Sequence, residues 1–306
     1  MKYGTTSLAG AAFLMLTGCG GPAAEKPSET RDLAAGEGPS GAMTYYGKKV
    51  EVDCGGIAMP PRPEGGPVDD LRGLRLGVPL DTAIRFVQCP EGEEADSILL
   101  EGDGPRLSRD QAGLDIRNFA RIATGRHQAR WSATDVLNYN PRNRLDHVDA
   151  EWSLYADGMP GQEKIYALWL VQPFAKGGEP TVASQQAALE KKYGKPTLVG
   201  DRGQLFWLFG PDDKPLPEYD RDKLRSCSAG ISIHGTQMNW RPDCGLTIVA
   251  QIDPAYGNPQ LSQAVRVAMI DAARYYDYEV NRFPRERDAY RASQAADAGA
   301  NEGGKF

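Results

Sequence analysis

The feature that most constrains the fold is a pair of apolar segments in the middle of the chain, separated by a turn. Apolar and polar residues alternate over residues 148–155, which is the pattern of a strand with one buried face. Residues 165–174 read IYALWLVQPF and are almost wholly apolar. Between them, residues 158–161 read Gly-Met-Pro-Gly, which is typical of a turn. The two segments are therefore predicted to pair as an antiparallel hairpin.

Further strands and helices are predicted on either side of this hairpin. Turn residues bound more strand-like segments at residues 204–209, 230–234 and 246–252. Helices are expected where apolar residues recur at i, i+3 and i+4, over residues 79–89, 108–123, 180–193 and 258–282. Together these elements predict an α+β domain, in which an antiparallel sheet of about five strands carries helices on one face.

The last predicted helix is the longest. Asn258 is a favoured N-cap residue, and Pro259 suits the first helical turn. The apolar residues with helical spacing are Leu261, Ala264, Val265, Ala268, Met269, Ala272 and Tyr276. This stripe is expected to cover the sheet.

The N-terminus is typical of an export signal. Lys2 gives the start a positive charge, and residues 7–16 form an apolar run that is too short to span a bilayer. The run closes in the letters LTGC, which end at Cys19. This segment resembles the lipobox of bacterial lipoproteins. The resemblance implies that Cys19 takes a diacylglyceryl group and becomes the acylated N-terminus after cleavage.

The same resemblance implies a location. It predicts a lipid anchor in the bacterial cell envelope, with the rest of the chain facing the periplasm. Lipoproteins of enteric bacteria that stay at the inner membrane carry Asp after the cysteine, whereas this chain has Gly20, which favours the outer membrane. The contact with the membrane would then be made by acyl chains.

Composition divides the chain into four parts. A signal peptide over residues 1–18 precedes a disordered tether over residues 19–44, which is rich in Gly, Pro, Ala, Glu and Ser. A globular domain follows over residues 45–283, and its repeated helix-then-sheet order leaves open two α/β subunits that divide near residues 135–145. The polar residues 284–306 are predicted to be a disordered tail.

Four cysteines remain once Cys19 carries the lipid, because the chain has five. An exported protein can form disulfides, and four cysteines allow three pairings. The pairings Cys54–Cys89 and Cys227–Cys244 are favoured because each closes a local loop.

A metal site is the alternative use of these cysteines. Cys227, His234 and Cys244 could supply three ligands, but the set has no Cys-x-x-Cys pair and no evident fourth ligand. We therefore predict no metal site and no cofactor.

Residues 71–87, which read LRGLRLGVPLDTAIRFV, carry a second resemblance. They resemble the opening of the small outer-membrane-assembly lipoproteins and of β-lactamase-inhibitor-like domains. In those proteins a Gly-containing turn starts a helix that lies against an antiparallel sheet. The resemblance implies this architecture here and identifies no functional residue.

Charge and motifs exclude several function classes. The net charge of −6 argues against a general nucleic-acid binder, which needs a basic face. The chain has no Gly-rich phosphate loop and no pair of histidines at i, i+4. Ser232 and His234 are weak catalytic candidates because they share one side of a predicted strand. The doublets at residues 69–70 and 212–213 could be glycosidase carboxylates, but they lie in turn-rich segments.

Three function classes stay open. The favoured one is a non-catalytic, lipid-anchored envelope protein that binds another envelope component, since the sequence offers no strong catalytic pattern. A second is a lipoprotein that binds a lipid or another small hydrophobe on the sheet. A third is a periplasmic hydrolase that uses Ser232 and His234.

Overall fold

The structure is a computed structural model, and it describes residues 54–89, 97–100, 114, 116–124, 149–233 and 241–302. All of these residues belong to one unit that spans Met43–Phe306. The predictions for the signal peptide, Cys19, the tether and His234 concern residues outside the described ranges, and so does the proposed division near residues 135–145.

An antiparallel sheet organises the domain. A small hairpin of β1 (Asp70–Leu71) and β2 (Leu74–Arg75) precedes it in the chain. The strands of the sheet are β3 (Ser97–Leu100), β4 (Phe119–Thr124), β5 (Ala150–Asp157), β6 (Lys164–Pro173), β7 (Leu198–Val199), β8 (Leu205–Leu208), β9 (Leu246–Ala255) and β10 (Asn258–Asp271). Within the described chain they lie in the order β3-β4-β5-β6-β10-β9-β8-β7. The predicted α+β class and antiparallel sheet are confirmed, with eight strands in place of about five.

The helices pack on both faces of this sheet and not on one alone. They are α1 (Leu80–Gln88), α2 (Val182–Tyr193), α3 (Arg221–Ser228) and α4 (Ala272–Asp277), and a π-helical segment (Tyr278–Arg282) joins α4 to α5 (Phe283–Glu302). Side chains of α1 and α2 pack into the core on one face, and those of α3 and α4 pack on the opposite face. The sequence predicted α1 and α2 correctly to within a few residues at each end.

Each face of the sheet has its own core, because successive residues of a strand point to opposite sides. Trp207 and Ile248 belong to the α1 and α2 side, where Trp207 Nε1 donates to the Gly194 carbonyl oxygen at 2.8 Å. On the other side the rings of Tyr166 and Tyr275 stack with centroids 3.7 Å apart, which fixes α4 against β6. Both faces of the sheet are therefore covered by packed helices.

The predicted helix over residues 258–282 is wrong for its first half. Residues 258–271 form β10, which pairs with β6 on one side and with β9 on the other, and the helix begins only at Ala272. The reason is that β10 is buried on both faces, with Val267 on one side and Ala268 on the other. A strand without a polar face loses its alternation and can match helical spacing by chance.

The predicted helix over residues 108–123 is also wrong in its described part. Residues 119–124 form β4, which pairs with β3 and β5. Phe119 and Ala120, which were expected on one helical stripe, contribute to opposite faces of the sheet. The segment over residues 230–234 was predicted as a strand, but residues 230–233 form no strand of the sheet.

Two boundaries from the sequence also change. β4 pairs with β5 across residues 125–148, so the same sheet continues on both sides of the expected division near residues 135–145. The polar segment after residue 283 was expected to be disordered, whereas the structure has α5 over Phe283–Glu302. Among the residues that the structure describes, no helix combines the length and the apolar character that crossing a membrane requires.

Both predicted disulfides are present. Cys54–Cys89 ties the segment before β1 to the end of α1, and Cys227–Cys244 ties α3 to the segment that leads into β9. The sulfur atoms of Cys227 and Cys244 are thus bonded to each other, so the alternative metal site, which needed both as free thiolates, is wrong.

A tight backbone contact before β9 gives a stability prediction. A Cβ atom on Gly245 would overlap the carbonyl oxygen of Gly210, so we expect Gly245→Ala to destabilise the fold by about 1–3 kcal/mol. Gly178→Ala is the matched control, because its Cβ would make only an ordinary contact with the Ala175 oxygen. Urea denaturation of the two variants checks this, and equal stabilities would contradict it.

Candidate functional site

An open groove runs along the β7 edge of the sheet, beside α3. One wall is the hairpin of β7 and β8, whose turn is closed by Gly203 N–H donating to the Gly200 carbonyl oxygen at 2.9 Å. Gly203 has a φ of 76°, which other residues adopt only with strain, so glycine suits this turn. Every residue from Lys195 to Arg202 lines the groove.

β7 is an edge strand whose only sheet neighbour within the described chain is β8. Val199 lies opposite Leu205, and Gly200 N–H donates to the Gln204 carbonyl oxygen at 2.8 Å in the adjoining pair. Hydrogen-bonded and non-hydrogen-bonded pairs alternate in an antiparallel ladder. The N–H and C=O of Val199 therefore point away from β8, and the Val199 side chain is 59% exposed.

The opposite wall of the groove is one face of α3. Asp220 caps this helix by accepting a hydrogen bond from Lys223 N–H at 3.2 Å. Four residues at i, i+3, i+4 and i+7 spacing share a helix face, and all four line the groove, namely Arg221, Leu224, Arg225 and Ser228. The helix therefore presents two guanidinium groups, one apolar side chain and one hydroxyl group to the groove.

The disulfide and a small apolar cluster hold α3 in place. Leu224 and Cys227 are buried on the inner side of α3, where they pack with Leu208 and Leu216. The bond from Cys227 to Cys244 fixes the same helix to the segment that leads into β9. Because α3 is attached both by packing and by a covalent bond, the groove is formed before any ligand arrives.

The groove has an apolar floor and a charged rim. Its volume is 820 Å³, which is within the usual range of small-molecule and peptide sites, roughly 300–1,000 Å³. Leu198, Phe206 and Leu224 line the floor. A Cβ atom on Gly200 would come 3.1 Å from the ring of Phe206, so glycine at this position keeps that ring accessible.

Cations dominate the rim. The charged residues that line the groove are Lys195, Arg202, Arg221 and Arg225 on the positive side, and Asp201 and Glu218 on the negative side. Lys195 Nζ pairs with Glu218 Oε1 at 3.2 Å. Within the described chain, no ion pair engages the guanidinium groups of the three arginines. The groove is therefore locally positive in a protein whose net charge is −6.

The structure gives Ser232 a packing environment. The main-chain oxygen of Ser232 accepts a hydrogen bond from Trp169 Nε1 at 2.8 Å. Its neighbours Ile231 and Ile233 are buried in the core on the α4 side of the sheet. His234 and Cys19 lie outside the described residues, so the structure does not test the Ser232 and His234 dyad or the lipidation site.

The acidic doublets form ion pairs. Asp69 Oδ2 lies 2.6 Å from Arg75 Nη2, and Asp70 Oδ1 lies 2.6 Å from Lys192 Nζ. The contact between Asp70 and Lys192 joins the β1–β2 hairpin to the end of α2. In the second doublet, Asp212 pairs with Lys214. These three carboxylates thus have structural partners.

Two ion pairs are buried on the α4 side of the sheet. Asp253 Oδ2 accepts from Arg266 Nε at 2.7 Å, and Gln251 Nε2 donates to Asp253 Oδ1 at 2.9 Å. Arg121 pairs with Glu151 on the neighbouring strands β4 and β5. Each charge in these two pairs is thus matched by an opposite one. Among the described residues, no group of three His, Cys, Asp or Glu side chains could hold a metal ion.

Asp271 is a partly buried carboxyl group at the junction of β10 and α4. Burial raises its pKa, and the negative charges of Asp213 and Asp69 raise it further. A hydrogen bond from Arg274 N–H at 3.1 Å and the positive charge of Arg274 act in the opposite direction. Because Asp271 accepts that bond as the N-cap of α4, its role is to begin the helix.

Comparison with known proteins adds no relative. No protein-family model matches the chain, and neither a curated protein nor a solved structure is significantly similar to it. Sequence patterns did not identify the groove residues either.

The attachment of α3 gives a prediction about its mobility. Removing the short crosslink with Cys227→Ser and Cys244→Ser should reduce the free energy of unfolding by about 3 kcal/mol, because the closed loop spans 17 residues. The amides of α3 should also exchange faster with deuterium. The Cys54→Ser and Cys89→Ser variant, which opens a 35-residue loop, should lose about 4 kcal/mol but leave α3 protection unchanged. If the α3 amides exchanged at the same rate in both variants, the Cys227–Cys244 bond would not be what holds α3 in place.

The raised pKa of Asp271 predicts how stability changes with pH. A carboxyl group whose pKa is higher in the folded state favours folding at low pH, and this benefit is lost as the pH rises through the folded pKa. Asn resembles the protonated form and still caps the helix, so Asp271→Asn should raise the free energy of unfolding at neutral pH. The gain should shrink at about pH 3, below the ordinary aspartate pKa of about 3.9. Denaturation at both pH values checks this, with the exposed Asp297→Asn as control.

Proposed function

We propose that this chain is a non-catalytic lipoprotein of the bacterial cell envelope that binds another envelope component in the groove between β7 and α3. The acyl chains on Cys19 hold it at the membrane, with the outer membrane favoured by Gly20. The lipobox-like segment supports export. The two disulfides support it independently, because such bonds persist mainly in oxidising compartments.

The observation that carries the binding role is the fixed groove with its three guanidinium groups. Exposed charges cost little when solvated, but three arginines around one concave, partly apolar surface form a complementary site for an anionic partner. The disulfide that fixes α3 lowers the ordering cost of binding, since the wall need not be assembled by the ligand.

The open shape of the groove favours this role over that of a carrier for lipids or small hydrophobes. A carrier of lipids or small hydrophobes needs an enclosed apolar cavity, whereas this groove is open and has a charged rim. A hydrolase needs a nucleophile that is presented to its substrate. The Ser232 and His234 pair is supported by the sequence pattern alone, because His234 lies outside the described residues.

Lipidation and partner contact can be tested in the same cells. The full-length protein, made in a bacterial host, should incorporate an alkyne-tagged fatty acid, and Cys19→Ala should abolish the label. A photo-crosslinking residue in place of Ser228, inside the groove, should give a specific adduct in these cells. The same residue in place of Tyr256, which is fully exposed in the β9–β10 turn, is the control and should give none.

The adduct should disappear when Arg221→Gln and Arg225→Gln are combined, because these changes remove two cations from the rim. An unlabelled protein that fractionates with the cytosol would refute the envelope assignment. Equal adducts from the groove and from the Tyr256 position would refute the groove as the binding site.

A further inference from the structure

The shape of the groove suits a bound segment in an extended conformation. A continuous run of eight residues, from Lys195 to Arg202, forms one wall. At its centre the N–H and C=O of Val199 point outward from an edge strand that has no second sheet neighbour in the described chain. A segment in extended conformation can satisfy both groups by pairing with β7, as in strand addition to a sheet edge.

The spacing of the cations indicates which side chains a bound segment would carry. Arg221 and Arg225 are four residues apart on α3, which corresponds to about 6 Å along a helix. Residues i and i+2 on one face of a strand are about 6.6 Å apart. Carboxylates at alternate positions of an added strand therefore have nearly the same spacing as the two arginines along α3, and charge-assisted hydrogen bonds between such groups are stronger than neutral ones.

The other face of the added strand would lie beside an apolar side chain. Val199 points to the side of the sheet opposite Leu198 and is one of the large apolar side chains that remain exposed. Apolar residues at the intervening positions of the occupant would cover it. Alternation of acidic and apolar residues thus fits both sides of the edge.

We propose that the groove binds an acidic, extended segment of a partner protein, which adds to the sheet beside β7 with its carboxylates on Arg221 and Arg225. This proposal rests on the proposed function and specifies the class of partner. Its recognition combines main-chain hydrogen bonds at Val199 with charge pairing on α3.

The test uses the full-length protein in detergent micelles and labelled eight-residue peptides. A peptide that alternates Glu and Val should bind. A peptide that alternates Gln and Val should bind about tenfold more weakly, because it cannot form the two exposed charge pairs. Alternating Lys and Val should not bind. Fluorescence anisotropy gives the dissociation constants, and the affinity for the acidic peptide should fall as salt is added.

Matched variants separate the two kinds of contact. Combining Arg221→Gln with Arg225→Gln should reduce the affinity for the acidic peptide by about tenfold. Arg62→Gln with Lys176→Gln removes the same charge at exposed positions elsewhere and should change affinity less than about twofold. Val199→Pro removes the outward N–H and should also weaken binding, whereas Val199→Ala retains the N–H.

Several results would overturn this proposal. Equal binding of the Glu and Gln peptides, or full binding by the Val199→Pro variant, would exclude an acidic added strand. Binding to phosphatidylglycerol vesicles that depends on Arg221 and Arg225, with no peptide binding, would identify a lipid headgroup as the occupant. If the in-cell adduct at Ser228 proved to be a glycan or a lipid, the envelope-binding function would stand and the acidic-peptide inference would fail.

Discussion

The pairing of β10 with β6 and β9 is the constraint on which the rest of the structure depends. β10 is 14 residues long and is hydrogen-bonded along both edges, so it joins the half of the sheet that contains β4 and β5 to the half that contains β7 and β8. Its apolar residues contribute to the cores on both faces. A central strand buried on both sides determines where each helix can pack. It also places the β7 edge at the end of the sheet.

Much of this architecture follows from local sequence patterns, and the exceptions have a physical cause. The central hairpin, α1, α2 and both disulfides could be predicted because turn residues, caps and cysteine spacing act over short distances. β10 could not, because a strand that is buried on two sides has no polar alternation to distinguish it from a helix. β4 was missed for a related reason, since Arg121 is polar in sequence yet is paired with Glu151 inside the fold.

The groove was beyond sequence reasoning because its parts carry no motif. One wall comes from the β7–β8 hairpin and the other from a polar eight-residue helix, and neither shows a pattern of catalytic or ligand-binding residues. They form a site only because the bond between Cys227 and Cys244 and the packing of Leu224 bring α3 against the sheet. The cysteine spacing predicted the crosslink, but not that Cys227 lies on a helix or what that helix faces. Ser232, which the sequence did single out, is not among the residues that line the groove.

The exposed edge of β7 also bears on whether the protein associates with itself. Unprotected sheet edges invite pairing between copies, and natural proteins often block this with charged residues. Because the outward-pointing main-chain groups at the centre of β7 are those of Val199, a second copy would pair with Val199 opposite Val199 and would gather the rim cations of both copies, Lys195 and Arg202 among them, around one edge. Like charges that are brought close together repel each other. The flanking cations therefore act as a barrier to dimerisation through this edge, while an acidic strand would meet no such repulsion.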